Sequence, residues 1–273
     1  MAKKRKKITT TVITTVTEVI TNVPSNEKTH IICILDRSGS MASIINDSIG
    51  GFNTFLKQQK ALPDKATITV ALFDDKYDLL YDNVDIKSAE ELTSNVWFPR
   101  GTTALFDAVG KTINREKQNF ARMGSEAPAK VLVCVVTDGY ENASKEYKRE
   151  DIQKLIKACE KDDWNFIYLA ANQNAFDVGM SFGISGGNTF TYTADAGGVS
   201  AMSMTLNNAS SSYRGMSTNS ANFKTRSKSL IDTPPEDQKE PDNLTGSITS
   251  NGTTIATTNG RTDTTVADTK DLK

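Results

Sequence analysis

Three short apolar runs organise the first two-thirds of the chain: His30–Leu35, Lys130–Thr137 and Asn165–Ala171. Runs of this length without polar alternation suit strands covered on both faces. Ala66–Phe73 alternates instead. Tyr77–Val84 follows it across Asp74-Asp75-Lys76, which is the pattern of a hairpin. Asn188–Tyr192 is a weaker candidate strand. Helical periodicity fills the intervals: Ile44–Leu62, stopped before Pro63, then Ala104–Phe120, Lys148–Lys161 and Ala175–Phe182. A single helical turn is expected at Ala89–Leu92. Gly198–Tyr213 carries Val199, Met202, Met204, Leu206 and Ala209, and reads as a helix packed on the core. Strands alternating with helices predict an α/β fold, a doubly wound, mostly parallel sheet flanked by helices. Ligands of such sheets sit beyond the carboxyl ends of the strands. Asp36 and Asp138 each follow a buried run.

The flanks differ from this core of residues 29–229. Residues 1–28 open with Lys3-Lys4-Arg5-Lys6-Lys7, and Ile8–Val23 is almost entirely Thr, Val and Ile. Dense β-branching disfavours a helix there and favours an extended arm, added to a sheet edge or pairing with another chain. A disordered arm fits the composition nearly as well. Residues 230–273 are Thr, Asn, Asp, Gly and Pro with few large apolar groups, a composition that predicts a disordered polar tail.

With 32 Lys+Arg against 33 Asp+Glu, the net charge of −1 gives no global case for nucleic acid. The basic run reads as a solvated tail, with membrane-surface or nucleic-acid contact as its alternative. Three cysteines without paired spacing do not form a disulfide framework and suggest a reducing compartment. No signal peptide and no membrane-spanning apolar segment are expected, so a cytoplasmic location follows, the host cytoplasm if the chain is phage-encoded.

The candidate chemistry begins at Asp36-x-Ser38-x-Ser40. In a loop leaving a buried strand, alternate side chains can surround a common point with one carboxylate and two hydroxyls. Thr103, from a Gly101-Thr102-Thr103 loop that opens a helix, can add a third hydroxyl, and Asp138 a second carboxylate. A hard divalent cation takes oxygen ligands of this kind, and Mg²⁺ wants them near-octahedral. The alternative is a capped turn, because Ser and Asp are favoured before helices.

Asp36-Arg-Ser-Gly-Ser-Met41, Gly101-Thr-Thr-Ala-Leu-Phe-Asp-Ala108 and Val136-Thr-Asp-Gly139 resemble the three signatures of the von Willebrand factor A domain with its metal-ion-dependent adhesion site. The resemblance covers about residues 29–196. It implies that Ser38 and Ser40 ligate the metal directly, and that Thr103 does so in a ligand-competent state. It also implies that Asp36 and Asp138 act mostly through water. Alignment of Gly101 with the family's glycine selects Thr103 over Thr102. An acidic side chain of a protein partner then completes the shell of Mg²⁺, or of Mn²⁺ or Ca²⁺. Gly50-Gly-Phe-Asn-x-Phe-Leu and Thr137-Asp-Gly-Tyr-Glu-Asn-Ala-Ser144 are similar to cytosolic bacterial and phage members, including those near tellurite-resistance genes.

Thr102, Tyr140 and Glu141, with Asn142, are candidates for framing the metal and contacting a partner, with a surface loop as the alternative for Tyr140, Glu141 and Asn142. Arg100 is a weaker candidate for the same framing. Asn172-Gln-Asn174 and Asp177 follow the third buried strand, and are expected either to contact waters around the metal or to cap a helix. Asp74 and Asp75 suit a hairpin turn better than a second metal site. His30, Trp97 and Trp164 read as structural. The expected function is a non-enzymatic, metal-dependent protein-binding module. The alternative is a structural or assembly protein, for example of a phage, whose arm and tail make the contacts and whose arm mediates self-association. A metal-dependent hydrolase would need a general base, for which Glu141 is the best candidate.

Overall fold

The computed structural model describes residues 27–231 and, beyond them, only the strands at 246–250, 253–258 and 261–266. Strands β1 (Thr29–Asp36), β2 (Ala66–Phe73), β3 (Tyr77–Asp85), β4 (Lys130–Thr137), β5 (Trp164–Ala171) and β6 (Thr189–Tyr192) form one sheet in the order β3-β2-β1-β4-β5-β6. All neighbours pair parallel except β3, which returns antiparallel to β2 as the hairpin pattern predicts. Winding therefore runs outward in both directions from β1 and β4, and a crevice opens where the direction reverses.

Successive side chains of each strand point to opposite faces, which explains why β1, β2, β4 and β5 are buried throughout. Ile31, Cys33 and Leu35 join Leu132, Cys134 and Val136 under α1 (Ile45–Ala61) and α5 (Ala196–Gly215). Ile32 and Ile34 join Val131, Val133 and Val135 on the other face. That face is covered by α2 (Leu105–Met123), α3 (Arg149–Lys161) and α4 (Ala175–Phe182).

Several local expectations are corrected. Ala89–Leu92 is not helical; the turn is a 3₁₀ segment at Ile86–Ser88. Asp85 caps that turn through Lys87 N, while Asn53 holds Leu92 through both its amide and its carbonyl. α2 runs three residues beyond Phe120 and stops at Gly124, whose φ is +55°. α5 starts at Ala196 because Asp195 accepts from Gly198 N. A short α6 (Phe223–Arg226) follows, and Leu230 and Ile231 still pack on the core. Beyond residue 245, and apart from these corrections, β7 (Gly246–Ser250), β8 (Thr253–Thr258) and β9 (Arg261–Val266) pair as an antiparallel meander. Thr and Ile supply β-favouring residues there. The N-terminal arm up to residue 26, and the rest of the tail, lie outside the described residues.

Candidate metal centre

Asp36 closes β1, and Asp138 follows the last residue of β4, its parallel neighbour. Both stand at the carboxyl end of the sheet, where the winding reverses. Asp36 Oδ1 accepts from Ser38 N at 2.6 Å, and its Oδ2 accepts from Thr137 Oγ1 at 2.6 Å. The first contact folds the loop back on its own carboxylate, as Asp does in Asx turns. Ser38 Oγ and Ser40 Oγ lie 3.0 Å apart, and Ser40 Oγ donates to Asp138 Oδ1 at 2.6 Å. Three of the five predicted residues are thus joined by one chain of oxygen contacts.

Thr103 arrives from the loop before α2. Gly101 makes that possible: its φ is +65°, and a Cβ there would lie 2.0 Å from Asp75 Oδ1. Its carbonyl accepts from Gly39 N, tying the two loops together. Thr103 is buried and Thr102 exposed. A Cβ added to Gly139 would lie 3.3 Å from Ser40 Oγ and 3.4 Å from Thr103 Oγ1. The two hydroxyls therefore close over the same glycine, and Thr103 rather than Thr102 faces the site.

Burial pushes the Asp36 carboxyl up to about 6, with Thr137 and Ser38 opposing and the Asp138 charge adding. Burial also raises Asp138, against the Ser40 hydrogen bond. Asp138 Oδ2 is buried and makes no hydrogen bond. Two buried carboxylates with an orphaned oxygen are costly unless something positive meets them. Among the described residues no three His, Cys, Asp or Glu side chains gather at one point. The donor set is instead two carboxylates and three hydroxyls, all oxygen. This set fits a hard divalent cation.

The surrounding side chains hold the loops. Arg37 is buried, and its guanidinium turns away from the two carboxylates: Nε lies 3.2 Å from Asp74 Oδ2, and NH2 donates to Asp78 Oδ2 at 2.5 Å. Arg100 contacts the same two carboxylates, and its backbone N donates to Arg37 O. Asp74 thus closes the hairpin turn through Lys76 N and anchors the metal loop as well. Trp97 Nε1 donates to Asp36 O. Asn172 and Gln173 donate to the carbonyls of Asp138 and Gly139, and Asn174 caps α4.

Tyr140 is 60% exposed beside the site. Glu141 is turned inward: its carboxylate accepts from the N–H groups of Phe106, Ala143 and Ser144 and from Ser144 Oγ. It caps α2 and closes its own turn. Asp107 accepts from Lys145, Glu146 and Tyr147 N, fixing the rest of this loop. The Arg37–Asp74 contact carries no local sequence signal beyond polarity in a loop; of the amides expected beside the site or capping a helix, Asn174 takes the capping role.

A mostly parallel sheet with helices on both faces and this loop cluster define a class, and the family comparison agrees: the von Willebrand factor type A domain model matches residues 30–205. The chain belongs to this family. No curated protein matches it. Among solved structures, proximal thread matrix protein 1 from the mussel byssus, with a zinc-occupied MIDAS motif, is 16% identical over 67% of this chain and 46% of its own, with a TM-score of 0.47. Manganese-loaded TRAP protein from Plasmodium vivax is 18% identical over 65% of this chain and 72% of its own, with a TM-score of 0.48. A von Willebrand factor type A protein from Catenulispora acidiphila is 13% identical over 67% and 42%, with a TM-score of 0.48. The chain spans less than half the length of the mussel and Catenulispora proteins.

Proposed function

We propose that the chain is a non-enzymatic, metal-dependent protein-binding module. The observation that carries this reading is the convergence of Asp36, Ser38, Ser40, Thr103 and Asp138 at the sheet's switch point, with a buried carboxylate oxygen left without a partner. Ser38, Ser40 and Thr103 would hold Mg²⁺ directly, with Mn²⁺ or Ca²⁺ as substitutes, and Asp36 and Asp138 would act through water. The ion, when bound, supplies an electrophilic position for an oxygen ligand. Neutral hydroxyl donors leave its charge largely uncancelled, which favours an acidic side chain of a partner. Tyr140 and Thr102, both exposed, are the rim residues placed to touch that partner. Glu141 supports α2 instead.

No helix among the described residues is long and apolar enough to cross a membrane. The three buried free cysteines suit a reducing cytoplasm, and the sequence motifs suit a bacterial or phage member of the family. Self-association through the arm is a further part of this reading. The test is calorimetric titration of Mg²⁺ into the full chain, followed by partner capture in Mg²⁺ and in EDTA. Wild type binds the ion and Asp36→Ala does not; captured proteins are released by EDTA. Capture that persists unchanged in EDTA defeats the proposal.

A further inference from the structure

The β5–α4 turn lies outside the three loops that supply the proposed ligands, yet it touches the backbone of one of them. Asn172 Nδ2 donates to Asp138 O at 3.3 Å, and Gln173 Nε2 donates to Gly139 O at 2.9 Å. These carbonyls follow the end of β4, where the sheet offers them no further strand partner. Gly139 is also the residue over which the Ser40 and Thr103 hydroxyls close. On its other side, Gly139 N donates to Thr137 Oγ1, and that hydroxyl donates to Asp36 Oδ2. The two peptides flanking Gly139 therefore form the floor of the site. Their tilt fixes the Asp138 carboxylate and the clearance for two hydroxyls together.

Gln173 is built for this one pose. It is 6% exposed, and its Nε2 also reaches Tyr168 Oη at 3.1 Å. Its Oε1 is buried without a partner. The amide cannot be turned over, because a carbonyl oxygen would then face the Gly139 carbonyl. Asn172 adopts φ +56°, a left-handed conformation that Asn tolerates better than most residues. That conformation turns the chain sharply enough for consecutive residues to reach consecutive carbonyls.

We propose that Asn172 and Gln173 are positioning residues that set metal affinity and selectivity by holding the peptides on either side of Gly139. This rests on the metal-site reading above. Supporting groups of this kind change metal affinity by about 10–100-fold when removed. Mg²⁺ demands near-ideal octahedral geometry, whereas Ca²⁺ tolerates irregular shells. Loosening the floor therefore weakens Mg²⁺ more than Ca²⁺.

The experiment titrates Mg²⁺ and Ca²⁺ separately into the full-length chain, comparing wild type with Gln173→Met and Gln173→Glu. Gln173→Met keeps the length without the donor, and Gln173→Glu keeps the shape but places lone pairs against Gly139 O. Asn188→Ala serves as a control, because Asn188 is a buried amide bonded to Ser227 O and Leu230 N in another part of the fold. Both Gln173 variants lose Mg²⁺ affinity by about tenfold or more, lose less Ca²⁺ affinity, and Asn188→Ala retains both. Equal Mg²⁺ affinity in wild type and the Gln173 variants overturns the proposal and leaves the metal site standing. An equal loss for both ions overturns it as well, because a merely structural lesion has no reason to discriminate. Failure of wild type to bind either ion removes the metal reading itself. If the Gln173 variants do not fold, Asn172→Gly, which keeps the left-handed backbone and loses only the exposed side chain, shows the same Mg²⁺-weighted loss at smaller size; unchanged Mg²⁺ affinity in that variant is equally fatal.

Discussion

Asp36 and Asp138 are placed where a folding optimum would not put them. Each is buried, each is raised by burial, and no basic side chain contributes to holding either ionised. Sites that violate a local rule in this way are where function is expected. The consequence is a trade between stability and binding. Asp138→Asn keeps an acceptor for Ser40 Oγ and removes a buried charge beside Asp36. In EDTA the variant is more stable than wild type, because a buried charge without a counter-ion is removed. Its Mg²⁺ affinity falls at the same time. Urea unfolding in EDTA and calorimetry in Mg²⁺ check the two halves. An Asn variant less stable than wild type in EDTA shows that the carboxylate is compensated by something other than a cation.

The elements carry these residues through contacts distant in sequence. Arg37, within the metal loop, is fastened to Asp74 at the tip of the β2–β3 hairpin, and Arg100 joins the same carboxylate from the loop before α2. Asp74 is fully buried, whereas the Asp78 side chain is 49% exposed. Asp74→Ala leaves Arg37 without its fully buried counter-charge, and Arg100 without its closest carboxylate, and costs about 3–5 kcal/mol in urea unfolding. Asp78→Ala costs no more than about 1 kcal/mol, because water takes over. Similar losses for the two would mean that Arg37 relaxes outward. The strands were legible in the sequence because burial on both faces writes continuous apolar runs. The five candidate residues were legible as a group because each follows a strand or opens a helix in the order of the three family signatures, and the structure brings them to one end of the sheet. The clamp was not legible: Arg37 reads as one more polar residue in a polar loop until the topology sets β2 beside β1. The inward turn of Glu141 was hidden for the same reason, since its partners at Phe106 lie 35 positions away. The 3₁₀ turn at Ile86–Ser88 depended on Asn53, across a helix, and Asn53 gives no sign of this locally.

Across the whole molecule, buried charge is handled in two ways. Away from the metal centre it is met internally. Lys130 Nζ donates to the carbonyls of Arg214 and Met216, and the Arg214 guanidinium donates to those of Gln59 and Asp64. Glu116, in the fourth turn of α2, accepts from Thr69 Oγ1 at 2.6 Å and lies 3.7 Å from His30 Nε2. Burial alone would raise the Glu116 carboxyl; contacts with His30, then Thr69 and Asn119, outweigh it and hold the carboxyl below the usual 4.5. A depressed carboxyl contributes stability that is present above its unfolded value and is lost as pH falls through its folded one. Glu116→Gln is therefore less stable than wild type near pH 7, and the gap narrows as pH drops below about 4.5. Its effect is separable from that of the ion. Glu116 lies eleven residues into α2, about 16 Å along the axis from the end nearest the site, and sites so far apart add independently. At one hundred times its dissociation constant, Mg²⁺ adds about 2.7 kcal/mol, and it adds this equally to wild type and to Glu116→Gln. Melting curves with Mg²⁺ and with EDTA, across pH 4 to 8, measure both quantities in one set. A smaller Mg²⁺ increment in Glu116→Gln at pH 7 would join the two regions energetically, and the sheet would then transmit strain from its middle to the metal loops.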